Sequence, residues 1–232
     1  MLVRKRAGFS VNRLSEYKTI IFDCDGVILN SNRVKTDAFY SAALPYGHSA
    51  AAALVDHHVR NGGISRYKKF DYFLQNIAPV DAQGPGLQDL LDTYAEMVKT
   101  GLLACEVAEG LEAFRHHTTG ARWLVASGGD QAELREVFEE RRLLQWFDGG
   151  IFGSPDTKED IVKREMENGN ICLPALFIGD SRYDHQVAHE NGLDFAFLTG
   201  WTEFEQWKEY LAPFDITIER TLKDLFSQGG HN

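Results

Sequence analysis

The sequence predicts an α/β fold in which a parallel sheet core is flanked by helices and split by an inserted all-helical unit. Three observations predict it. Short apolar runs rich in β-branched and aromatic residues recur along the chain, each ending at a small or acidic residue. Helical patterns separate the later runs, and near-continuous apolar strands alternating with helices mark a parallel sheet covered on both faces. One long segment, from about Arg33 to Val107, carries helical patterns only.

Tyr17 to Phe22 is the first apolar run and stops at the turn signal Asp25-Gly26. Arg122 to Ala126, Ala175 to Ile178 and Phe195 to Leu198 repeat the pattern, ending at Ser127-Gly128, Gly179-Asp180 and Thr199-Gly200. Helices are expected over Gln131 to Leu144, Thr157 to Met166 and Asp184 to Asn191, the last closed by Gly192. Within the strand-free segment, helical patterns cover Val34 to Leu44, Ala50 to Val59, Tyr67 to Ile77 and Leu87 to Thr100. Pro45-Tyr46-Gly47, Asn61-Gly62-Gly63 and Gln83-Gly84-Pro85-Gly86 interrupt them. The core is therefore expected over residues 14–30 and 110–232, with the helical unit over residues 31–109.

Composition narrows the function. In 232 residues, 34 Asp and Glu outnumber 24 Lys and Arg, a formal charge of −10. That balance argues against nucleic acid as a partner, because phosphate-backbone binding relies on surplus basic residues. No stretch approaches the roughly 20 apolar residues of a membrane span. Arg4, Lys5, Arg6 and Arg13 have no sustained apolar segment behind them and read as a basic tail. Three widely spaced cysteines, Cys24, Cys105 and Cys172, suit a reducing cytosol, so a cytoplasmic location is expected.

Ligands of a parallel α/β sheet gather beyond the carboxyl ends of its strands, so the polar residues there carry the chemistry. Asp23-Cys24-Asp25-Gly26-Val27 follows the first run. Carboxylates at i and i+2 of an extended segment face one side, and such close like charges call for a cation or a retained proton. The first gives a hard oxygen site suited to Mg²⁺, the second a general acid; a solvated turn is the plain alternative. Gly179-Asp180-Ser181-Arg182-Tyr183-Asp184 adds an acid after a strand and another at a helix start, where capping is the competing role. Ser127-Gly128-Gly129 offers a hydroxyl and backbone N–H groups, a natural phosphate cradle. Lys158 is a cation at a helix start, where it opposes the helix dipole and a purely structural role is unfavourable.

This set, in this order, resembles the haloacid dehalogenase superfamily of phosphohydrolases over essentially the whole chain. Asp23-Cys24-Asp25-Gly26-Val27 resembles its first motif, Ser127 its second, Lys158 its third, and Gly179-Asp180 with Asp184 its fourth. The inserted unit resembles the helical cap of the phosphoglycolate phosphatase and β-phosphoglucomutase-like branch, and Asn61-Gly62-Gly63-Ile64-Ser65-Arg66 its substrate loop. Asn30 departs from the pattern, since many relatives carry Asp there.

The resemblance implies a Rossmann-like core and a Mg²⁺-dependent phosphatase acting on a small phosphorylated metabolite. It implies Asp23 as nucleophile and Asp25 as general acid and base. Mg²⁺ would be held by Asp23, the backbone carbonyl of Asp25, Asp180 and, at one remove, Asp184. Ser127, Gly128 N–H and Lys158 would hold the phosphoryl oxygens, and Ser65 and Arg66 of the cap would contact the remote end of the substrate. A phosphomutase would keep the same residues, and a non-catalytic regulatory protein would be expected to lose one of them. A monomer or a homodimer is expected.

Other signals have plainer readings. His185 and His189 share a helical face without a third metal ligand nearby in sequence, and the pairs His57-His58 and His116-His117 face different directions. Cys24 alternates away from its flanking aspartates and reads as a packed thiol. Trp201, Phe204, Trp207 and Tyr210 fit a helix on the sheet edge.

Overall fold

The computed structural model describes residues 11–227; Arg4, Lys5 and Arg6 lie outside them. Six parallel strands form one sheet: β1 Thr19–Phe22, β2 Arg122–Asp130, β3 Gly150–Ser154, β4 Ala175–Gly179, β5 Asp194–Leu198 and β6 Thr217–Glu219. Their order is β3-β2-β1-β4-β5-β6, with Phe22 beside Val125 on one side and Ile178 on the other. The order reverses at β1, so the carboxyl ends of β1, β2 and β4 open a crevice at the switch point of the sheet.

Strand side chains alternate between two cores. Ile20, Phe22, Trp123, Val125, Leu176 and Ile178 face one, and Ile21, Leu124, Ala126 and Phe177 the other. Helices α5 (Leu111–His117) and α6 (Gln131–Glu140) cover the first face through Phe114, Leu134 and Phe138. Helices α7 (Lys158–Glu167), α8 (Arg182–Glu190) and α9 (Trp207–Leu211) cover the second through Ile161, Val162, Val187 and Leu211. This is the α/β sandwich expected from the alternation of runs, and among the described residues no helix is long and apolar enough to cross a membrane.

Between β1 and β2 the chain forms α1 (Asn32–Ala43), α2 (His48–Arg60), α3 (Arg66–Asn76) and α4 (Leu87–Ala104). Their apolar stripes meet around Phe39, Leu54, Phe70, Phe73 and Tyr94, continuous with the first core of the sheet. The segments leading into and out of the helical insert pair with each other: Asn30 N–H donates to Glu106 O and Ala108 N–H to Ile28 O, at 2.9 and 2.8 Å. A short helix, α10 (Asp224–Ser227), closes the described chain.

Three local expectations need correction. Strands β3 and β6 escaped sequence reading, β3 because two glycines dilute its apolar run and β6 because its three residues are not buried. The second strand does not end at Ser127-Gly128; β2 continues through Gly129 to Asp130, with a register irregularity after Ala126, and Asp130 caps α6. Of the four aromatics from Trp201 to Tyr210, only Trp207 and Tyr210 are helical, because α9 is five residues long. Phe204, Trp207 and Tyr210 nevertheless pack against the second core.

Candidate active site

Asp23 follows β1 directly, its N–H bonded to Ile178 O on β4 at 2.9 Å. The carboxylate is buried, and its Oδ1 accepts from Cys24 N–H at 2.7 Å and from Lys158 Nζ at 2.8 Å. Lys158, the first residue of α7, also reaches Asp184 Oδ1 at 2.5 Å. Asp184 Oδ2 accepts from Ser181 Oγ at 2.6 Å and Ser181 N–H at 3.1 Å, so this carboxylate is fixed by the capping box of α8. Asp180 follows β4 and accepts from Asn32 Nδ2 at 2.7 Å. Capping and site assembly are thus one device at Asp184, not competing roles.

Asp23, Asp180 and Asp184 each place a carboxylate oxygen within 4.8 Å of the others. Lys158 is the only cation bonded to this trio among the described residues. Burial, together with the neighbouring acids, pushes Asp23 up to about 7 against the pull of Lys158, and pushes Asp180 well above the usual carboxylate range. Burial would lower Lys158, but Asp184 and Asp23 outweigh it and raise the ammonium further. Three buried carboxylates balanced by one ammonium fit a hard divalent cation, whose oxygen ligands they would be.

Asp25 does not share this cluster. The chain turns after Asp23, with Ile28 and Leu29 N–H both on Cys24 O and Gly26 at φ 75°, so the i, i+2 alternation ends there. The Asp25 carboxylate instead meets Ser31 Oγ at 2.6 Å and forms an ion pair with Lys35. Burial works to raise this group, but the Lys35 charge and the hydrogen bonds of Lys35 and Ser31 hold it below its ordinary value. Gly26 is required at this turn twice over, because a Cβ there would overlap Asp180 and Asn32.

Ser127 is fully buried and accepts from Gly129 N–H at 3.0 Å, while Gly128 O accepts from Ser154 Oγ at 2.9 Å. The loop Asn61-Gly62-Gly63 lies against Gly128 so closely that a Cβ on Gly128 would overlap Gly63 O. Asp23, Asp25, Gly128 and Asp180 line a cavity of about 280 Å³ whose other wall is the insert. Ser65 does not line that cavity; it caps α3, accepting from Lys68 N–H. Arg66 does, but its guanidinium is held by Glu133 of α6, at 2.5 and 3.1 Å. Cys24 is packed in the core, and His185 is packed among Tyr210, Phe195 and Phe214.

Among the polar residues of this cavity that the sequence reading did not place there are Asn32, Lys35, His58, Lys69 and Glu203. The signal was available for three of them. Lys35, Ala38, Phe39 and Ala42 form the buried stripe of α1; Arg66, Lys69, Phe70 and Phe73 that of α3; Ala51, Leu54 and His58 that of α2. A lysine or histidine at an apolar-stripe position marks a helix that faces something polar.

The model of the haloacid dehalogenase-like hydrolases matches residues 17–192. The chain belongs to this family. Solved structures share its fold at low identity. A "predicted phosphatase" from Clostridium acetobutylicum is 21% identical, with a TM-score of 0.66 over 91% of this chain and 97% of that one. A haloacid dehalogenase-like family hydrolase from Streptococcus pneumoniae is 18% identical, with a TM-score of 0.63 over 90% and 97%. CbbY from Rhodobacter sphaeroides, solved in complex with phosphate, is 17% identical, with a TM-score of 0.67 over 92% and 96%. No curated protein matches the chain.

Proposed function

We propose that the chain is a Mg²⁺-dependent phosphatase that hydrolyses a small phosphate monoester through an aspartyl-phosphate on Asp23. The observation that carries this reading is the Asp23, Asp180 and Asp184 cluster with Lys158 at the switch point of the sheet. Family membership and the phosphatase names of several fold relatives support it.

An oxygen of Asp23 attacks phosphorus as the bond to the leaving oxygen breaks, and the leaving oxygen takes a proton through Asp25. In the free site the proton of the Asp25–Lys35 pair rests on Lys35, so delivery through Asp25 draws on that ammonium. Water then attacks phosphorus, passing its proton to Asp25; the aspartyl bond breaks and Asp23 is regenerated. Lys158, Ser127 and Gly128 N–H are the candidate partners of the phosphoryl oxygens. Asp23, Asp180 and the backbone carbonyl of Asp25 would hold Mg²⁺, with Asp184 orienting the set; bound there, the ion supplies charge neutralisation between anionic nucleophile and anionic substrate.

The helical insert acts as a cap in this reading, with Gly63 seated on Gly128 and the cavity enclosed between insert and sheet. Arg66 then serves cap closure through Glu133 instead of gripping substrate directly. The test is a Mg²⁺-supported hydrolysis screen across phosphorylated metabolites and a nitrophenyl phosphate, with Asp23→Asn as control. Hydrolysis abolished by that substitution is expected; no hydrolysis by the parent protein, or activity retained in the variant, refutes the reading.

A further inference from the structure

On the insert side of the cavity stands a cation to which no acid is bonded. Lys69 of α3 is 2% exposed and lines the cavity, yet no carboxylate among the described residues lies within ion-pair distance of its ammonium. Lys35 is paired with Asp25 and Arg66 with Glu133, while the Glu203 carboxylate, a further acid of the lining, takes the Thr36 hydroxyl at 3.0 and 3.1 Å and stands beyond ion-pair distance of Lys69. The Lys69 ammonium meets His58 Nδ1 at 2.6 Å and the His58 carbonyl oxygen at 3.5 Å.

With Lys69 charged, as a bound anion would hold it, the ammonium has only donors, so Nδ1 accepts and the proton of the neutral imidazole sits on Nε2. Nε2 is buried and has no partner. The lining therefore presents an ammonium whose acceptors both belong to His58 and to which no acid is bonded, beside an imidazole N–H that has no acceptor at all. Buried donors left unsatisfied destabilise the fold unless a ligand completes them. The complement is an acceptor with negative charge. Phe39 lies against both groups, 4.5 Å from the His58 ring and 5.5 Å from Lys69 Nζ, an apolar flank that bonds neither.

We infer that the substrate carries a second anionic group, a carboxylate or a further phosphate, seated by Lys69 and His58 while its phosphate ester lies at Asp23. The inference rests on the phosphatase reading above and deepens it to a substrate class. Neutral phosphorylated sugars and alcohols would leave the ammonium without a counter-charge, and discrimination against a ligand lacking a required polar group is steep.

The test uses matched pairs of esters with the full-length protein and Mg²⁺. Phosphoglycolate is set against ethyl phosphate, and the terminal phosphates of a three-carbon and a six-carbon aldonic acid against alditol phosphates bearing a hydroxymethyl group instead. A ketohexose bisphosphate set against its monophosphate separates phosphate from carboxylate as the second anion. The anionic member of at least one pair is expected to have kcat/KM higher on the order of ten- to a hundredfold. Lys69→Met is expected to shrink that ratio to near unity, and His58→Leu to reduce it. Equal or better turnover of the neutral member in every pair overturns the inference, as does a ratio unchanged in both variants. The parent comparison stands even where a variant misfolds. Nitrophenyl phosphate hydrolysis without any anionic preference refutes this inference alone, whereas no hydrolysis at all refutes the phosphatase reading beneath it.

Discussion

Arg66 on the insert and Glu133 on the core form a two-pronged salt bridge, at 2.5 and 3.1 Å, with both side chains nearly buried. The guanidinium also lies over Tyr94, 4.8 Å from its ring centre. One charged contact thus ties α3 to α6 across the cavity, and it belongs to neither layer alone.

Removing one partner leaves a buried charge unpaired, which costs about 3 kcal/mol. Glu133→Ala is therefore expected to lower unfolding stability by about that amount in denaturant titration. The double replacement Arg66→Met with Glu133→Leu should recover most of the loss. A single variant within about 0.5 kcal/mol of the parent would show that the bridge does not hold the insert down.

Lys35 holds Asp25 ionised, and that has a kinetic consequence. In Lys35→Met the compensating charge is gone, burial dominates, and the Asp25 carboxyl rises. The activity that depends on ionised Asp25 is then lost at higher pH, so the acidic limb of the pH–kcat profile moves upward. A protonated Asp25 can still serve the leaving oxygen, so the loss falls on the water-attack step and is shared by alkyl and nitrophenyl phosphates. An unmoved limb would remove Lys35 from proton handling.

The carboxylate cluster makes a prediction about metal and pH together. Asp23 takes up a proton on folding because burial raises it from 3.8 to about 7, so the metal-free protein loses stability as pH rises across that interval. Mg²⁺ replaces that proton. Its addition should raise Tm more at a pH of about 8 than at about 5.5, and Asp180→Asn should suppress the rise at both. A metal-induced shift that is larger at the lower pH would contradict the three-carboxylate site.

Four of the six strands and most of the acidic site were legible because both follow from local rules. Buried parallel strands are short apolar runs, Asp23, Ser127 and Asp180 sit where those runs end, and Lys158 opens a helix. What stayed hidden depends on long-range geometry. The partners of Asp25 could not be read because the turn at Gly26 redirects its side chain, and Lys35 reaches it only once α1 folds back. Arg66 is expected as a substrate contact from the resemblance of its loop, and nothing in its own segment announces its ion pair with Glu133, 67 residues away. Lys69 and His58 could have been found, since each interrupts an apolar stripe with a polar group.

The central claim is that Asp23 forms the covalent link to phosphate. Enzyme quenched in acid during turnover of nitrophenyl phosphate, then treated with borohydride, converts an aspartyl-phosphate to homoserine that peptide mass spectrometry locates in the chain. Homoserine at position 23, dependent on substrate and Mg²⁺ and missing from Asp23→Asn, is the expected result. Turnover with homoserine at another aspartate, or with none at position 23, would contradict the account.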